Sequence, residues 1–295
     1  MSNGAITSEF LSRIPLPQPS EDGDKDQRGR VLVIAGSASV PGAALLAATA
    51  ALRAGAGKLQ IATCQSIATH LGLAVPEALV LGLPETPAGE IDPKAAVLLR
   101  ERVARCDAVL IGPGMLDEEA VSALTADLLN CEPGSAFVLD AGALGQLRDI
   151  AAVLARHKGR LVITPHAGEM ANLLGVDKHD VLNNPSEIAG QAARLLHCVV
   201  ALKGPCTYIT TPDGDTWTYS DGNVGLATSG SGDTLAGIVA GLLARGVSPL
   251  GAAQWGVFLH GEAGNRLAQT RGPLGFLARE LLAEIPAIMA TFRPT

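Results

Sequence analysis

The residues best suited to chemistry lie in one glycine-rich segment, 223–246, which reads NVGLATSGSGDTLAGIVAGLLARG. Ser231, Gly232 and the acid Asp233 stand immediately before a run whose apolar residues recur at helical spacing. Those apolar residues are Leu235, Ile238, Val239, Leu242 and Leu243, which predict one buried helical face. The segment therefore predicts a helix N-terminus, where free backbone N–H groups and the positive end of the helix dipole attract anions. A simple helix cap at Ser231 or Asp233 explains the same pattern equally well.

Other polar side chains follow predicted strands. His166 and Glu169 stand in TPHAGE, directly after a strand and at the start of a helix. Lys203 stands in LKGPCT, where the adjacent glycine favours a phosphate contact over a merely solvated lysine. Asp140 ends a strand in VLDAGAL, a place where a carboxylate can organise metal or phosphate, with an Asx turn as an equal alternative. His260 lies among apolar helix residues and is interpreted as a packed or hydrogen-bonded residue.

Small residues mark two places where a ligand can approach the backbone. Gly112 and Gly114 enclose a proline in IGPGM, which predicts either a tight turn or a backbone surface for a flat or phosphorylated ligand. Gly42 and Ala43 stand at the start of a predicted helix. Neither segment has the G-x-G-x-x-G spacing of a dinucleotide fold or the G-x-x-x-x-G-K-[ST] spacing of a P-loop. The glycines alone are therefore weak evidence for a nucleotide site.

Strands and helices alternate from Arg30 onward. The predicted strands are RVLVIAG, KLQIAT, EALVLG, DAVLIG, AFVLDAG, RLVITP and CVVALKG, followed by a hairpin that turns at Asp213 and Gly214. Helical stretches lie between them and fill the C-terminal part of the chain. This order predicts an α/β fold with a mostly parallel sheet covered by helices on both faces. We expect one domain over residues 1–295, with 1–29 as an N-terminal helix and loop segment. The loops after the strands open at one edge of the sheet, where ligands bind in such folds.

Composition excludes several functional classes. The chain has 295 residues, is 47% hydrophobic and carries a net charge of −7, which argues against a nucleic-acid partner. Its five cysteines form no C-x-x-C pair, so neither a zinc site nor a disulfide framework is expected, and a reducing cytoplasm fits best. No apolar run approaches membrane-spanning length and the first residues lack a secretory signal pattern, so no membrane partner is expected.

Taken together, six segments resemble the ADP/ATP-dependent NAD(P)H-hydrate dehydratases of the ribokinase-like superfamily. They are PGAALLAATAALRAGAG, IGPGM, VLDAGAL, TPHAGEMANLLG, LKGPCTYI and GLATSGSGDTLAGIVAGLLA, and they follow the family's order. The resemblance implies a three-layer αβα sandwich and a lyase activity in metabolite repair. That activity converts (6S)-NADHX and (6S)-NADPHX to NADH and NADPH, with AMP and phosphate as products when ADP is used.

The resemblance also implies a role for each matching position. Ala43, Gly114, His166 and Asp233 would contact the hydrated dinucleotide. The adenine nucleotide would be held by one loop and a glycine near its phosphates, namely Lys203, Gly204, Pro205, Cys206, Thr207 and Gly232. Glu169 and Asp140 resemble positions that handle Mg²⁺ through its waters in related kinases. One departure is that this chain reads Gly-Ser-Gly-Asp at 230–233 where the family commonly reads Gly-Thr-Gly-Asp.

The chemistry implied is phosphorylation of a poor leaving group. Asp233 would act as the base, and the N–H groups of Ser231, Gly232 and Asp233 would form an anion hole for the transferring phosphoryl group. Two alternatives stay open at this point. One is a ribokinase-like kinase of a small alcohol, such as a thiazole or hydroxymethylpyrimidine, and the other is a noncatalytic nucleotide-binding sensor.

The resemblance bears on partners as well. It implies a homo-oligomer, with a tetramer expected, and cooperation with a separate NAD(P)HX epimerase. We expect no epimerase domain in this chain. The residues do not distinguish ADP from ATP or NADHX from NADPHX.

Overall fold

Ten strands form one sheet in the computed structural model, which describes residues 3–18, 25–131 and 134–292. In chain order they are β1 (Asn3–Ala5), β2 (Arg30–Ile34), β3 (Lys58–Cys64), β4 (Ala78–Leu83), β5 (Ala108–Ile111), β6 (Ala136–Leu139), β7 (Leu161–Ile163), β8 (Val199–Leu202), β9 (Thr207–Thr210) and β10 (Thr216–Tyr219). Their spatial order is β1-β10-β9-β8-β7-β6-β5-β2-β3-β4. Every neighbouring pair is parallel except the two that involve β9, so the predicted mostly parallel sheet is confirmed.

Helices cover both faces of the sheet. In chain order they are α1 (Ser8–Ser12), α2 (Pro41–Arg53), α3 (Gln65–Ala74), α4 (Ala96–Ala104), α5 (Glu118–Leu129), α6 (Ala151–Leu154), α7 (Ala167–Leu174), α8 (Lys178–Asn183), α9 (Pro185–Leu196), α10 (Ser231–Ala244), α11 (Pro249–Arg271) and α12 (Ala278–Ala290). One layer contains α2, α3, α10, α11 and α12, and the other runs from α4 to α9. Helix α3 packs on Val80, whereas α4 bonds Gln60 on the opposite face of the sheet. This is the three-layer arrangement that the resemblance implied.

The N-terminal segment contains an expected helix, α1, and also a strand that was not expected. Asn3–Ala5 adds a strand, β1, that pairs in parallel with β10, and residues 19–24 lie outside the described part of the chain. Three residues that include a glycine are too short for any periodicity to show, so the pairing is set by the partner strand. The turn expected at Asp213 and Gly214 is present, because Gly214 takes a φ of +90° between β9 and β10.

Helix α10 is the centre of its layer, and its position decides where the candidate site lies. Its apolar residues were expected to form one buried face, yet nearly every residue after Gly232 and Asp233 is buried. The cause is close packing against α2. A Cβ on Gly237 would come within 2.2 Å of the Ala47 carbonyl oxygen, and one on Gly241 within 2.3 Å of that of Ala51. Glycines therefore let the two backbones touch and fix the N-terminus of α10 beside that of α2.

None of the helices in the described ranges combines the length and the apolar character that crossing a membrane would need.

Candidate active site

The loops that follow five parallel strands meet at one edge of the sheet, as the sequence predicts. Backbone hydrogen bonds join them in register. Gly36 donates to Pro113 at 2.8 Å, Asp140 to Ile111 at 3.1 Å, and Lys203 to Pro165 at 2.8 Å. The N-terminus of α10 reaches the same place, because a Cβ on Gly232 would lie 3.3 Å from the Nζ of Lys203. The structure thus brings the glycine segment together with the strand ends.

The N-terminus of α10 presents backbone donors, although not all those expected. Gly230 precedes the helix with a φ of +83°, a conformation that glycine adopts without strain. The N–H of Ser231 donates to the Thr228 carbonyl at 3.2 Å, so it is not available for an anion. The anion hole therefore has one donor fewer than predicted. Within the part of the chain that the structure describes, the N–H groups of Gly232 and Asp233 are the free donors of this first turn.

Lys203 directs its ammonium group at this helix end. Its Nζ lies 2.9 Å from Oδ1 of Asp140 and 3.9 Å from Oε2 of Glu169. Burial lowers the pKa of Lys203, but the carboxylates of Asp140, Glu169 and Asp233 outweigh it and raise the pKa overall. Lys203 therefore stays charged. A fixed positive charge beside free N–H groups is an arrangement that suits a phosphate.

Asp140 contacts Lys203, and its predicted role toward Mg²⁺ through water stays a prediction. It is 2% exposed, and its Oδ1 accepts both the Lys203 ammonium and the hydroxyl of Thr164, the latter at 2.6 Å. Among the described residues no three His, Cys, Asp or Glu side chains stand close enough to hold a metal ion. Asp140 thus holds Lys203, because the strand ends of β6, β7 and β8 bring Asp140, Thr164 and Lys203 together.

Asp233 has the proton affinity of a base that works near neutral pH. Burial, and to a lesser extent the negative charges of Asp140 and Glu169, raise the pKa of its carboxyl to about 6 against the opposing charge of Lys203. The side chain is half-buried, and Oδ2 lies 3.9 Å from where a Cβ on Gly230 would stand. A carboxyl of this kind can take a proton from a substrate hydroxyl at the mouth of the helix.

His166 and Glu169 form the N-terminal cap of α7. Nδ1 of His166 accepts the N–H groups of Gly168 and Glu169 at 3.0 and 3.1 Å, and Oε2 of Glu169 accepts the N–H of His166 at 2.7 Å. Since Nδ1 accepts, the proton of the neutral ring is on Nε2. The His166 side chain is 60% exposed, and its Nε2 lies 3.6 Å from Oε1 of Glu169, so the ring can be reached from solvent beside that carboxylate. Its predicted contact with the dinucleotide stays a prediction.

Ala43 and Gly114 lie against each other, which no local pattern predicts. A Cβ on Gly114 would stand 2.6 Å from that of Ala43, and Gly114 takes a φ of +68°. Ala43 is 3% exposed, so its methyl group packs inside the protein and its predicted contact with a ligand depends on the backbone at the start of α2. The two residues form one surface between two loops.

The expected nucleotide loop, 203–207, connects β8 to β9. Gly204 and Pro205 are exposed, while Cys206 and Thr207 are half-buried. Burial raises the pKa of the Cys206 thiol, which is unpaired, so this cysteine is not an activated nucleophile. The loop is open at the edge where Lys203 lies, and its predicted contact with adenine nucleotide stays a prediction.

His260, on α11, contacts the first turn of α10. It hydrogen-bonds through Nε2 to the hydroxyl of Ser231 at 2.8 Å, and burial lowers its pKa to about 4, so it is neutral. Of the two interpretations given above, the hydrogen-bonded one is correct. A histidine among apolar residues of α11 was the only signal, and nothing near it in the sequence indicates that it faces α10.

The chain is similar to known proteins along nearly its whole length. Residues 31–287 match the family model described as NAD(P)H-hydrate dehydratase. An ADP-dependent (S)-NAD(P)H-hydrate dehydratase of Xanthomonas campestris pv. campestris is 50% identical over 285 residues, covering 96% of this chain and 95% of that protein. A bifunctional NAD(P)H-hydrate repair enzyme Nnr of Moorella thermoacetica is 42% identical over 97% of this chain, which spans 54% of that protein. The crystal structure of the ADP/ATP-dependent NAD(P)H-hydrate dehydratase of Bacillus subtilis, co-crystallised with ATP/Mg²⁺, superposes with a TM-score of 0.80 at 30% identity, covering 98% of this chain and 99% of that one.

Proposed function

The chain belongs to the NAD(P)H-hydrate dehydratase family, and from this premise we propose that it removes water from (6S)-NADHX and (6S)-NADPHX with ADP or ATP as the phosphoryl donor. One observation carries the assignment to this site. The Asp233 carboxyl, the free N–H groups of Gly232 and Asp233, and the Lys203 ammonium converge on the N-terminus of α10. A base, an anion hole and a fixed cation are what phosphoryl transfer to a hydroxyl requires.

The reaction needs this machinery because hydroxide leaves the hydrated ring slowly. Asp233 takes the proton of the ring hydroxyl, whose oxygen forms a bond to the terminal phosphorus of the nucleotide while the bond to the leaving nucleotide phosphate breaks. With ADP the leaving product is AMP. The carbon–oxygen bond of the new phosphate ester then breaks as the ring nitrogen supplies electrons. This cleavage releases phosphate, and loss of a proton from the neighbouring ring carbon then restores the reduced nicotinamide.

Lys203 and the two N–H groups are proposed to hold the migrating phosphoryl group. The ammonium carries a full positive charge and the N–H groups a partial one before the reaction begins. The site therefore needs no reorganisation as negative charge spreads over the phosphoryl oxygens. His260 keeps Ser231, and with it the first turn of α10, in place through their hydrogen bond. The half-buried position of Asp233 excludes part of the surrounding water, which strengthens these interactions.

Mg²⁺ fits this site only as a partner of the nucleotide. Glu169 offers the more accessible carboxylate at this edge: its Oε2 accepts the His166 N–H and its side chain is 21% exposed, whereas Asp140 is 2% exposed and its Oδ1 accepts from both Lys203 and Thr164. Mg²⁺ usually keeps several waters and binds through one or two carboxylates plus phosphates, which agrees with one acid in this position. We therefore propose that Glu169 holds waters of the ion. When bound, the ion neutralises charge on the phosphates.

The assay that tests the assignment follows both products. Purified protein with (6S)-NADHX and ADP should increase absorbance in the reduced-nicotinamide band and release AMP and phosphate in equal amounts. Consumption of ADP with a stable phosphate ester and no NADH would assign the protein to the small-alcohol kinases instead. Binding of ADP with no turnover of either substrate would leave a nucleotide sensor.

We propose further that the enzyme forms a homo-oligomer, with a tetramer expected from the family, and that it works with a separate epimerase. The second point is supported by the match of this chain to about half of a bifunctional repair enzyme. The five cysteines of this chain are free thiols, which supports the proposal that the enzyme works in a reducing cytoplasm. Size-exclusion chromatography with light scattering gives the subunit number, and a monomer at assay concentration would contradict the first proposal.

A further inference from the structure

A tight turn after β4 reaches under the candidate site. Glu85 bridges to Ile91, the Thr86 N–H donates to the Glu90 carbonyl at 2.8 Å, and that of Gly89 donates to Thr86 at 2.9 Å. The Gly89 carbonyl in turn accepts the N–H of Ala38 at 2.8 Å. The 86–90 turn is thereby attached to the loop that leads from β2 into α2.

The carboxylate of Glu90 lies between two loops of the site. Glu90 is 4% exposed, and its Oε2 accepts the N–H of Leu116 at 3.2 Å. The hydroxyl of Ser37 and the N–H of Asp117 lie near enough to this carboxylate to lower its pKa. Ser37 lies in the loop after β2, whereas Leu116 and Asp117 follow IGPGM after β5. One buried side chain therefore links both loops.

These two loops carry the surface predicted for the hydrated dinucleotide. Gly36 donates to the Pro113 carbonyl at 2.8 Å, and a Cβ on Gly114 would stand 2.8 Å from the carbonyl oxygen of Val40 and 2.6 Å from the Cβ of Ala43. Contacts this close leave no room for one loop to shift without the other. Their relative position therefore depends on the groups that hold them from beneath.

The charge of Glu90 does not stabilise the folded chain. Burial raises the pKa of its carboxyl, although the N–H groups of Leu116 and Asp117 and the Ser37 hydroxyl lower it, and nearby Asp117 raises it further. An acid whose pKa is higher in the folded than in the unfolded state destabilises the fold once it is ionised. What an ionised Glu90 supplies at neutral pH is its hydrogen bond to Leu116 and its attraction for the Ser37 hydroxyl and the Asp117 N–H.

We propose that Glu90 is a positioning residue for the hydrated dinucleotide: its carboxylate fixes the loop at 36–40 against the loop at 112–117, and so places the backbone of Ala43 and Gly114 for binding. This inference rests on the proposed function for the identity of the ligand. It assigns no contact between Glu90 and the substrate. Since the 203–207 loop and Lys203 lie on other strand ends, Glu90 should not influence nucleotide binding.

Steady-state kinetics of Glu90→Ala and Glu90→Gln test the proposal. Glu90→Ala should raise KM for (6S)-NADHX by roughly tenfold or more, the effect of losing a charge-assisted hydrogen bond that holds a site loop. KM for ADP should stay within about twofold of wild type, because substitutions at distant sites act independently. Glu90→Gln keeps one acceptor oxygen, so it should recover part of the loss and melt no earlier than wild type.

Glu85→Ala is the matched control. Its carboxylate lies near the same turn but accepts the N–H of Ser66 at the start of α3, away from both loops. It should leave both KM values unchanged. Equal increases of KM for (6S)-NADHX and ADP in Glu90→Ala, or no increase in a folded Glu90→Gln and Glu90→Ala, would overturn the proposal.

A binding measurement separates this inference from the proposed function. If wild-type protein shows no turnover, titration calorimetry with (6S)-NADHX decides between the outcomes. Binding by wild type that weakens in Glu90→Ala supports the positioning role without the reaction. Absence of binding to wild type, or equal binding to both proteins, overturns it.

Discussion

The pair formed by Asp140 and Lys203 offers the most informative perturbation. Asp140→Asn removes the charge that holds the ammonium group while preserving the size of the side chain. The two groups lie 2.9 Å apart, with side chains 2% and 19% exposed, so the remaining ammonium loses its main partner in a largely buried place. Removing one partner of a buried pair costs about 3–5 kcal/mol. Because Glu169 at 3.9 Å and Asp233 still offset the charge of Lys203, we expect the lower end of that range.

The expected consequences are thermal and kinetic. A loss of about 3 kcal/mol lowers the melting temperature by roughly 6–12 °C in a chain of this size. Turnover should fall by about 10²–10³, the usual effect of losing one preorganised group that stabilises a transition state. The quantity to measure is kcat with both substrates saturating, for Asp140→Asn, Lys203→Met and the double variant. Since both changes remove the same interaction, the double variant should be no slower than Lys203→Met.

Magnesium distinguishes this role from the metal site that the sequence suggests for Asp140. If Asp140 positions Lys203, raising the Mg²⁺ concentration leaves the kcat of Asp140→Asn unchanged. Recovery of turnover at high Mg²⁺, or losses that simply add in the double variant, would refute the reasoning.

Two other changes probe the N-terminus of α10. Gly232→Ala places a methyl group 3.3 Å from the Lys203 ammonium, so it should weaken nucleotide binding, while the melting temperature is held or raised because alanine favours a helix by about 0.5–1 kcal/mol. Gly237→Ala is its control: its Cβ would come within 2.2 Å of the Ala47 carbonyl, so it should lower the melting temperature, and the opposite order of melting temperatures would contradict the packing described. His260→Ala should lower kcat by about tenfold through loss of the hydrogen bond to Ser231, with Ser231→Ala matching it and the double variant no slower. Because the pKa of His260 is about 4, its removal should leave the pH profile near neutrality unchanged, and a shifted profile would assign it a proton-transfer role.

Much of the fold follows from local patterns. Short apolar runs that end in glycine or polar residues mark the parallel strands, and parallel strands must place their following loops at one edge. For that reason the meeting of Asp233, Lys203 and Gly232 could be predicted before their geometry was known. The Ser-Gly-Ser-Gly sequence at 229–232 likewise indicates a helix N-terminus, which the structure places at Ser231.

What the sequence could not reveal depends on pairing between distant segments. Asp140 and Lys203 stand 63 residues apart, after β6 and β8, and the strand order β6-β7-β8 brings the carboxylate to the lysine. The Ser231 N–H bonds to Thr228 within a turn whose exact path no pattern gives. Glu90 and His260 support the site from other elements, and nothing about their immediate neighbours indicates which loop or helix they contact.

The most direct measurement of the central claim is turnover by Asp233→Asn beside the pH profile of the wild type. Since the unprotonated carboxyl is the active form and its pKa is about 6, wild-type kcat/KM should fall with a slope of one as pH drops below about 6. Asp233→Asn should lose turnover by several orders of magnitude, still bind ADP and (6S)-NADHX, and melt no earlier than wild type, because burial disfavours the carboxylate it removes. Near-normal turnover by Asp233→Asn with the wild-type pH profile would contradict the role of Asp233 as the base.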